Sequence, residues 1–577
     1  MPNIRILLWG ALALILYYNY AAWMHDYGAP LPAAMTKAAA GATGAGAGTL
    51  GDSVPQAASA APAPAPSATT AATEQAPPGS PAPAPAPAPA AEPQAAPAQL
   101  LHVKTDVLDV SINLKGGELD KAELPEYPLR KDAPNIPVTL FDNADEASRY
   151  LLQTGLTGGS GQAAPTHLAT WVSAQKSFVL ENGAQELRVP MTWTDGQGLT
   201  VTKTFVFKRG WYSIDLIYDV KNNSATARNL ASYSQFLRHW EHASRSYFDV
   251  ETYSFKGPSI YDGTKHVDLK VESEEDSKFS QTITNGWLAS MQHHFVAAIV
   301  PTAGEPFKYQ LQVRDHEYLL SATGPAIDIP AGANAQLHEK LFVGPKLQAQ
   351  LAATGPRLDL TADYGKLTVL AKPLFWVLKS VDGITGNWGW SIIIVTALIK
   401  LVFFPLSQAS GRSMARMRAV APRLKQIQET YKDDREKLGR AMMELYKREK
   451  INPLAGCLPM VVQIPFFISF YWVLLETVEM RQAPFMLWIN DLSSRDPYFV
   501  LPFLMGAAMF AQFKLNPAPP DPMQAKIMQF MPLVMTVMMA WFPSGLTLYW
   551  LTNTVLSIAQ QWRINKVVEA EAAKQRS

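Results

Sequence analysis

The residue with the most distinctive chemistry is a lysine inside a long apolar segment. Lys400 lies within SIIIVTALIKLVFFPL, residues 391 to 406. An ammonium group at the centre of a bilayer costs ~2.5 to 3.5 kcal/mol on insertion scales, so it needs water, a partner or an escape to the surface. A lysine in the inner half of a span can also reach the headgroups by snorkelling, and this alternative stays open. The role of this cation therefore depends on its surroundings.

Polar residues on the same segment and on neighbouring ones favour a hydrated groove around the lysine. Thr396 precedes Lys400 by four residues, which places both on one face of a helix. A hydrogen-bonded packing seam between helices is the alternative explanation for polar stripes of this kind. Because a lysine is among them, we favour the groove. The polar residues on the other apolar segments are Gln463, Gln512, Tyr549, Asn553, Ser557 and Gln561.

The apolar segments carry no acidic residue at the depth of the lysine. Glu476 and Glu479 lie at the outer end of their segment. Proton-coupled and sodium-coupled transporters usually place a carboxylate near the bilayer midplane. The Gly-rich phosphate-binding motif of nucleotide-driven machines is also absent from the sequence. A cation without a resident counter-ion is free to attract an anionic visitor.

The one long polar interruption of the apolar part is strongly basic. Residues 407–455 hold twelve Lys and Arg against six Asp and Glu, and their apolar spacing predicts a helical hairpin turning near Asp433 and Asp434. The charge alone is typical of a cytoplasmic loop. The alternative is a docking surface for a ribosome, a targeting factor or a nascent chain. The candidate docking residues are Met414, Met417, Arg418 and Tyr431.

The composition of the whole chain argues against several classes of protein. The chain has 577 residues, 48% of them hydrophobic and 17% charged, with a formal net charge of +1. A nucleic-acid-binding domain normally carries an excess of positive charge, so direct sequence-specific binding of nucleic acid is not predicted. Cys457 is the only cysteine, which excludes an internal disulfide and a multi-cysteine metal site.

Two histidine pairs are the remaining candidates for a metal site. His239 and His242 have H-x-x-H spacing, and His293 and His294 are adjacent. In a β domain such pairs are usually surface or core histidines. We therefore predict no metal, no cofactor and no catalytic residue.

The N-terminal part divides into three segments by composition. Residues 4 to 24 form an apolar run long enough to cross ~30 Å of hydrocarbon, which predicts a transmembrane anchor over 1–28. A cleaved signal peptide is the alternative, although its apolar core is usually shorter. Residues 29–99 are rich in Ala and Pro, which predicts a disordered tether. Residues 100–366 contain short alternating stretches such as VTKTFVFK, which are typical of an antiparallel β sandwich.

The C-terminal part, 367–566, is predicted to be a polytopic α-helical membrane protein. With the anchor it would have six spans, and the positive-inside rule places the basic hairpin in the cytoplasm. Both termini, including the tail 567–577, would then be cytoplasmic, and the β domain would lie outside. The five predicted spans of this part are approximately 384–406, 457–477, 498–514, 527–542 and 546–564.

Four motifs resemble the YidC family of membrane protein insertases. They occur in order as LYKREKINPLAGCLPMVVQIPFF, RQAPFMLWINDLSSRDPYFVLP, DPMQAKIMQFMP and FPSGLTLYW, beginning at residues 445, 481, 521 and 542. The anchor, tether and β domain resemble the form of the family found in Gram-negative inner membranes, which implies a periplasmic β domain. By the same resemblance that domain would be a β-super-sandwich like that of sugar mutarotases, an analogy of fold that implies no activity.

The resemblance also implies a site. The family has a five-helix core with a hydrophilic groove open to the cytoplasm and to lipid. Its groove cation corresponds to Lys400 and its groove threonine to Thr396. Many relatives have arginine at the first of these positions, so this chain keeps the charge without the planar guanidinium. Where many relatives have two tyrosines after the FPSG stretch, this chain has Tyr549 and Trp550.

These observations predict an insertase that moves short polar segments of new membrane proteins across the bilayer, alone or beside the Sec translocon, without covalent chemistry. The expected partners are nascent membrane proteins, the Sec translocon, a ribosome or targeting factor, and membrane lipids. One alternative is a small-molecule transporter or channel with a sensing domain outside. Another is a membrane-tethered carbohydrate-active enzyme, which would need paired carboxylates in a cleft of the β domain.

Overall fold

A computed structural model gives the fold of residues 49–56, 99–159, 162–240, 254–272, 274–362, 364, 367–432, 434–449, 458–515 and 522–574. The predicted anchor, 1–28, and most of the predicted tether lie outside the described residues. Within the described ranges, a β-rich domain precedes a helical part.

The β domain begins at β1, and its strands show the alternation from which they are predicted. In Ser213–Asn222, for example, Ile214, Leu216, Tyr218 and Val220 are buried while their neighbours are more exposed. The described strands are β1 Leu100–Lys104, β2 Asp109–Asn113, β3 Glu118–Arg130, β4 Ala133–Phe141, β5 Tyr150–Gly158, β6 Ser177–Val179, β7 Glu186–Thr194, β8 Leu199–Lys208, β9 Ser213–Asn222, β10 Arg228–His239, β11 Gly257–Tyr261, β12 His266–Asp268, β13 Ser280–Thr284, β14 Trp287–Met291, β15 Phe295–Val300, β16 Pro306–Arg314, β17 Glu317–Thr323, β18 Ile327–Ile329 and β19 Asn334–Pro345.

The strands form two sheets with one apolar core. The 11-stranded sheet has the order β13-β16-β17-β10-β5-β3-β2-β1-β6, with β18 paired to β10 and β4 to β3. The 8-stranded sheet has the order β12-β11-β14-β15-β19-β9-β8-β7. Both sheets contribute buried side chains to the same cluster, among them Leu152 and Phe236 from the first and Phe205 and Ile299 from the second. The predicted all-β sandwich is confirmed.

One lysine is fully buried inside this sandwich. Lys203, on β8, is 0% exposed, and its Nζ donates to the carbonyl oxygens of Gly117 at 2.6 Å and Thr154 at 3.0 Å. The turn at Gly117 has φ +57°, and a Cβ there would lie 3.0 Å from the Nζ atom, so this close approach of the backbone needs glycine. Lys203 thus ties a strand of one sheet to a turn and a strand of the other.

Replacing Lys203 by methionine should lower the free energy of unfolding of the β domain by about 2 to 4 kcal/mol. The substitution leaves buried carbonyl oxygens without a donor and removes the amino group that faces the half-buried Glu118 and the buried Glu339. Hydrogen exchange of the β5 and β8 amides in the full chain measures the loss. Lys208→Met is the matched control, because Lys208 forms only a partly exposed ion pair with Asp215. Equal acceleration of exchange in both variants would contradict this role for Lys203.

The helical part begins after the short helix α1, Gln348–Thr354. Helix α2 was not predicted as an element, although Ala371, Leu374, Phe375 and Leu378 are buried at helical spacing. The remaining helices are α2 Thr368–Thr385, α3 Trp388–Val402, α4 Phe404–Thr430, α5 Arg435–Arg448, α6 Leu458–Glu476, α7 Val500–Leu515, α8 Pro522–Met539 and α9 Ser544–Lys574.

The first predicted span of this part, 384–406, differs from the helix observed. Gly386 ends α2 with φ +60°, and the Asn387 side chain accepts a hydrogen bond from the Trp390 amide at the start of α3. At the other end, α3 stops before Phe403, because the proline at position 405 has no amide hydrogen to donate to the carbonyl oxygen four residues earlier. Local capping and the proline therefore set bounds that hydropathy alone does not show.

A helix that crosses a membrane must be both long and apolar. Within the described ranges no single helix meets both requirements. The pair Trp388–Val402 and Phe404–Ser413 meets it only jointly, with a bend of 62° between the two helices. Three shorter apolar helices are Val461–Glu476, Val500–Leu515 and Lys526–Met539.

The β domain packs on the C-terminal end of α6 and on the loop that follows it. Arg481 Nη2 donates to the Leu129 carbonyl oxygen at 2.9 Å, and Gln482 Nε2 donates to the Pro128 carbonyl oxygen at 3.0 Å. Both acceptors lie in β3, near its turn into β4. Lys131, in that turn, donates back to the Gln482 carbonyl oxygen at 3.2 Å. These contacts hold the β3–β4 hairpin against the loop.

Candidate functional site

The site is centred on the facing surfaces of α3 and α9. Lys400, on α3, is half-buried, and its Nζ donates to the Ser557 Oγ of α9 at 2.7 Å. The Ser557 hydroxyl donates in turn to the Asn553 carbonyl oxygen at 2.7 Å, so its lone pair is free to accept from the lysine. No carboxylate of the described residues lies within ion-pair distance of Lys400. The arrangement is a cation held by a neutral hydroxyl.

Thr396 lies one turn before the lysine on α3, as its spacing predicts. Its side chain is 1% exposed, and its hydroxyl donates to the Ile392 carbonyl oxygen at 2.6 Å. The hydroxyl therefore satisfies the backbone of its own helix. Thr396 and Lys400 share a helix and a spacing, but only the lysine reaches a partner on another helix.

An aromatic stack joins α9 to α6. Tyr549 lies against Phe470, with ring centroids 4.5 Å apart and an angle of 18° between the planes. Trp550 meets Phe467 edge to face at 4.6 Å, and Phe467 also stacks on Tyr549 at 6.0 Å. Tyr549 is buried in this stack, whereas Trp550 is half-buried at its margin. Phe467 and Phe470 were not identified from the sequence. They lie three residues apart on α6, and this helical spacing is the sequence feature that could have indicated them.

The other candidate residues of the groove have intermediate exposure. Asn553 contributes its carbonyl oxygen to the Ser557 hydroxyl and lies one turn before it on α9. Gln463 lies on α6 and Gln512 on α7, both half-buried. The structure thus places Lys400, Asn553 and Ser557 in one hydrogen-bonded chain. The two glutamines have no contact with that chain among the hydrogen bonds of the described residues.

The helices carry many large apolar side chains that no other part of the described structure covers. Their exposed fractions reach 87% at Ile384 and are 74% at Val402 and 70% at Phe503. Exposed apolar surface on this scale is unusual for a water-soluble protein and marks contact with a partner or a membrane. Others of this kind are Trp376, Leu401, Val461, Ile527, Phe530, Leu533, Val534 and Val537.

Helices α4 and α5 occupy most of the segment for which the hairpin is predicted, 407–455. Their facing apolar side chains form a small core of Val420, Leu424, Leu445 and Tyr446, against which Met417 packs. Tyr431 ends α4, donating its amide to the Ile427 carbonyl oxygen at 3.0 Å, and is half-buried. Met414 and Arg418 fall within α4, but their side chains lie outside the described residues.

A basic cleft lies between the first turns of α4 and the later part of α9. A Cβ on Gly411 would lie 2.8 Å from Ile564 Cδ1, so glycine lets the two helices approach closely. Arg412 and Arg563 bring positive charge to this cleft from both helices. The other lining residues are Phe404, Gln408, Ile564 and Val567.

The described histidines of the predicted pairs have structural contacts. His293 and His294 stack with ring centroids 3.8 Å apart. His293 Nε2 donates to the Leu475 carbonyl oxygen of α6 at 3.1 Å, and burial lowers the pKa of His293 to about 3. His293 is therefore a neutral donor at the contact between the β domain and α6. His239 ends β10, and His242 lies outside the described residues.

Comparison with known proteins covers both parts of the chain. The model of the YidC periplasmic domain matches residues 100–377, and that of the 60Kd inner membrane protein family matches residues 380–572. A membrane protein insertase YidC of Pseudomonas putida W619 is 44% identical over 575 residues, covering 99% of each chain. The chain belongs to the YidC family of membrane protein insertases. A YidC of Pseudomonas fluorescens SBW25 is 47% identical over 479 residues, covering 82% of this chain and 85% of that one.

The family predicted from the four motifs is therefore confirmed. Both relatives are named insertases, which favours a YidC protein without covalent chemistry. A crystal structure of an active YidC insertase with its first transmembrane domain resolved has a TM-score of 0.36 and 17% identity, covering 80% of this chain and 93% of that chain. A galactose mutarotase related enzyme of Lactobacillus acidophilus has a TM-score of 0.29 and 8% identity, covering 42% and 97%. At these scores neither structure bears on the function of this YidC protein.

Proposed function

We propose that this chain inserts newly made membrane proteins into the inner membrane, with Lys400 as the positive charge of a hydrated groove. The observation that carries the proposal is the half-buried Nζ of Lys400, held by the Ser557 hydroxyl and not by a carboxylate of the described residues. A cation paired with an acid would be neutralised in place. A cation paired with a hydroxyl keeps its attraction for the acidic residues of a client.

The groove would act by shortening the path of a polar segment through hydrocarbon. A client segment entering between α3, α6 and α9 would meet Lys400, the Asn553–Ser557 chain and the half-buried Gln463 and Gln512 in place of lipid tails. The apolar segment that follows would leave sideways into lipid. Its partitioning, at ~0.3 to 0.6 kcal/mol for each well-placed Leu, Ile, Val or Phe, supplies the driving force.

We further propose the topology predicted from the sequence, with six spans, five of them in the core. Both termini and the basic hairpin would be cytoplasmic and the β domain periplasmic. The exposed apolar side chains of α3, α7 and α8 support burial of these helices in lipid. The Sec translocon and a ribosome or targeting factor are proposed as partners of the same core, and Met414, Met417, Arg418 and Tyr431 as docking residues of the hairpin.

Reconstitution tests the proposed activity directly. The purified full chain is placed in lipid vesicles, and a single-span client with a short acidic tail is synthesised beside them. Added protease should leave a tail fragment protected inside vesicles that contain the chain and none in empty vesicles. If the fragment is no more abundant with the chain than without it, the chain is not an insertase for such clients.

Removing residues 57–340 should leave the insertion of single-span clients largely intact, within about twofold of the full chain. The groove residues lie in α3, α6, α7 and α9, and the hydrogen-bond partner of Lys400 among the described residues is Ser557 of α9 and not a residue of the β domain. The deletion keeps α2, which packs on both α3 and α6 and is therefore part of the core.

The measurement is complementation of a strain depleted of its own insertase, with protease accessibility of the client as readout. The deletion exposes Arg481 and Gln482, which now donate to β3. An Arg481→Ala substitution in the full chain is the matched control for that loss. Failure of the truncated chain to insert any single-span client at normal protein levels, with the control active, would assign the β domain a direct part in insertion.

A further inference from the structure

A short piece of the predicted tether is folded onto the β domain. Residues Leu50–Asp52 form a single 3₁₀ turn, and Leu50 is 5% exposed. The sequence predicts disorder over 29–99, and the structure differs from that expectation here. The reason is visible in the composition: between residues 36 and 99, Leu50 and Val54 are the only aliphatic residues larger than alanine.

The Leu50 side chain packs on a row of three leucines, one on each of three adjacent strands. Leu151 on β5, Leu237 on β10 and Leu319 on β17 are direct cross-strand partners, and together with Leu50 they form an apolar cluster of their own. Their neighbours along the strands, such as Leu152 and Phe236, point into the core between the sheets. The leucine row therefore lies on the outer face of the 11-stranded sheet.

The next row of the same face supplies hydrogen-bond donors to the backbone of the segment. Gln153 Nε2 donates to the Gly51 carbonyl oxygen at 3.1 Å, and Gln235 Nε2 donates to the Ser53 carbonyl oxygen at 3.2 Å. Gln153 and Gln235 are cross-strand partners, and Gln235 also donates to Gln153 Oε1 at 2.7 Å. Each amide is thus held in the orientation that presents its NH₂ group to the segment.

A histidine completes the site, and its tautomer follows from its partners. His167 Nε2 lies 2.9 Å from the Gly51 carbonyl oxygen, which can only accept, so Nε2 carries the proton and donates to it. The neutral ring accepts at Nδ1 from the Tyr233 hydroxyl at 2.7 Å, and that hydroxyl accepts from the His167 amide at 2.9 Å. Burial lowers the pKa of His167, which keeps this neutral form at neutral pH.

Glycine at position 155 makes room for this arrangement. Gly155 is the cross-strand partner of Tyr233, and a Cβ there would lie 2.9 Å from the Tyr233 hydroxyl and 3.1 Å from the His167 amide nitrogen. The site thus has a leucine pocket and three side-chain donors that point at two carbonyl oxygens. The absence of a side chain at Gly155 leaves space for Tyr233 and His167. These features recognise a peptide by one apolar side chain and its main chain.

We propose that the outer face of β5, β10 and β17 is a peptide-binding site whose resident ligand, here called the strap, is the chain's own Leu50–Ser53 segment. The proposal is independent of the groove, because it concerns the β domain only.

Competition between the strap and a free peptide tests the site. The probe is a fluorescein-labelled peptide of residues 47–57, AGTLGDSVPQA. It is added to the purified intact chain and to a purified variant that lacks only residues 49–56. A contact of this size is expected to have a Kd of about 0.1 mM, while the tethered strap is present at an effective concentration near 1 mM. Fluorescence anisotropy should therefore show saturable binding to the deletion variant and about tenfold weaker binding to the intact chain.

Matched controls come from the same tether and the same sheet. A peptide of residues 59–69, SAAPAPAPSAT, and the strap peptide with Leu50→Asp should both fail to bind. Gln153→Leu in the deletion variant should weaken binding of the strap peptide by about fivefold or more, since the Gly51 carbonyl oxygen loses a donor. Equal binding of both tether peptides, or equal binding to intact and deleted chains, would overturn the proposal.

Thiol labelling in the otherwise complete chain keeps the proposal testable if the deletion variant does not fold. Cys457 is replaced by serine to remove the only other thiol. Leu50→Cys should then react with a maleimide at least about tenfold more slowly than Gln56→Cys, because position 50 is buried and position 56 exposed. Adding Gln153→Leu should speed the reaction at position 50 only. Equal labelling rates at the two positions would show that the strap is not docked.

Discussion

Replacing Lys400 by glutamate should reduce the insertion of clients with acidic translocated tails far more than that of matched clients with neutral tails. A charge ~4 Å from a client carboxylate is worth ~1 kcal/mol in bulk water and ~4 kcal/mol at an effective dielectric of 20. In a hydrated groove the attraction between the two charges lies near the lower of these values. Lys400→Ala should therefore slow the entry of acidic clients about fivefold, and Lys400→Glu should slow it further because it repels them. Lys400→Arg should be tolerated, since it keeps the charge at similar reach.

The client pair isolates the charge effect from general damage to the protein. The two clients differ only in Asp→Asn changes in the translocated tail, and the readout is the ratio of their protease-protected fragments. Ser557→Ala removes the hydroxyl that accepts from Lys400 but keeps the cation, so it should change this ratio little. Lys514→Ala removes an exposed lysine at the end of α7 and controls for loss of a positive charge elsewhere. An unchanged ratio in every Lys400 variant would instead support a snorkelling lysine.

The elements around this site could be predicted to different degrees. The β sandwich follows from alternation and turns, because strands such as β9 bury every second residue in the core. The approximate positions of the apolar helices follow from hydropathy. Their ends do not, because Gly386, Asn387 and the proline at position 405 set them through local backbone geometry. Helix α2 escaped prediction because Lys372, Lys379 and Asp382 interrupt its apolar residues.

Partners of candidate residues were harder to predict than the residues themselves. The spacing of Thr396 and Lys400 places them on one face, but it does not show that the Thr396 hydroxyl turns back to Ile392 while the lysine reaches Ser557. That difference depends on how close α9 lies to α3. The strap shows the same limit, because Leu50 is a lone leucine in a low-complexity segment and its seat on β5, β10 and β17 is formed by residues far away in the sequence.

Deleting residues 415–445 should slow the recruitment of ribosome-bound clients about tenfold while the membrane core still folds. The deleted piece contains most of the basic residues of 407–455 and the apolar seam between α4 and α5, of which Leu445 and Val420 are part. A loss of ~1.4 kcal/mol in docking corresponds to that tenfold change. Core packing between α3 and α9 should persist, because those helices contact one another directly. Co-sedimentation of the chain with translating ribosomes at several salt concentrations gives the measurement.

The salt dependence separates a docking surface from a topogenic signal. Attraction between the basic hairpin and the phosphates of a ribosome weakens steeply as salt rises, so the difference between intact and deleted chains should shrink at high salt. Position 443 supplies a direct probe, because Met443 is 55% exposed on α5, whereas Met417 packs into the seam of the hairpin. A photo-cross-linker at position 443 should capture ribosomal protein or nascent chain, and one at the proposed docking position 417 should capture the same partners less efficiently, because the seam partly covers that side chain. If neither position captures a ribosomal or client product and the deletion leaves recruitment unchanged, the charge of the hairpin serves only to fix its side of the membrane.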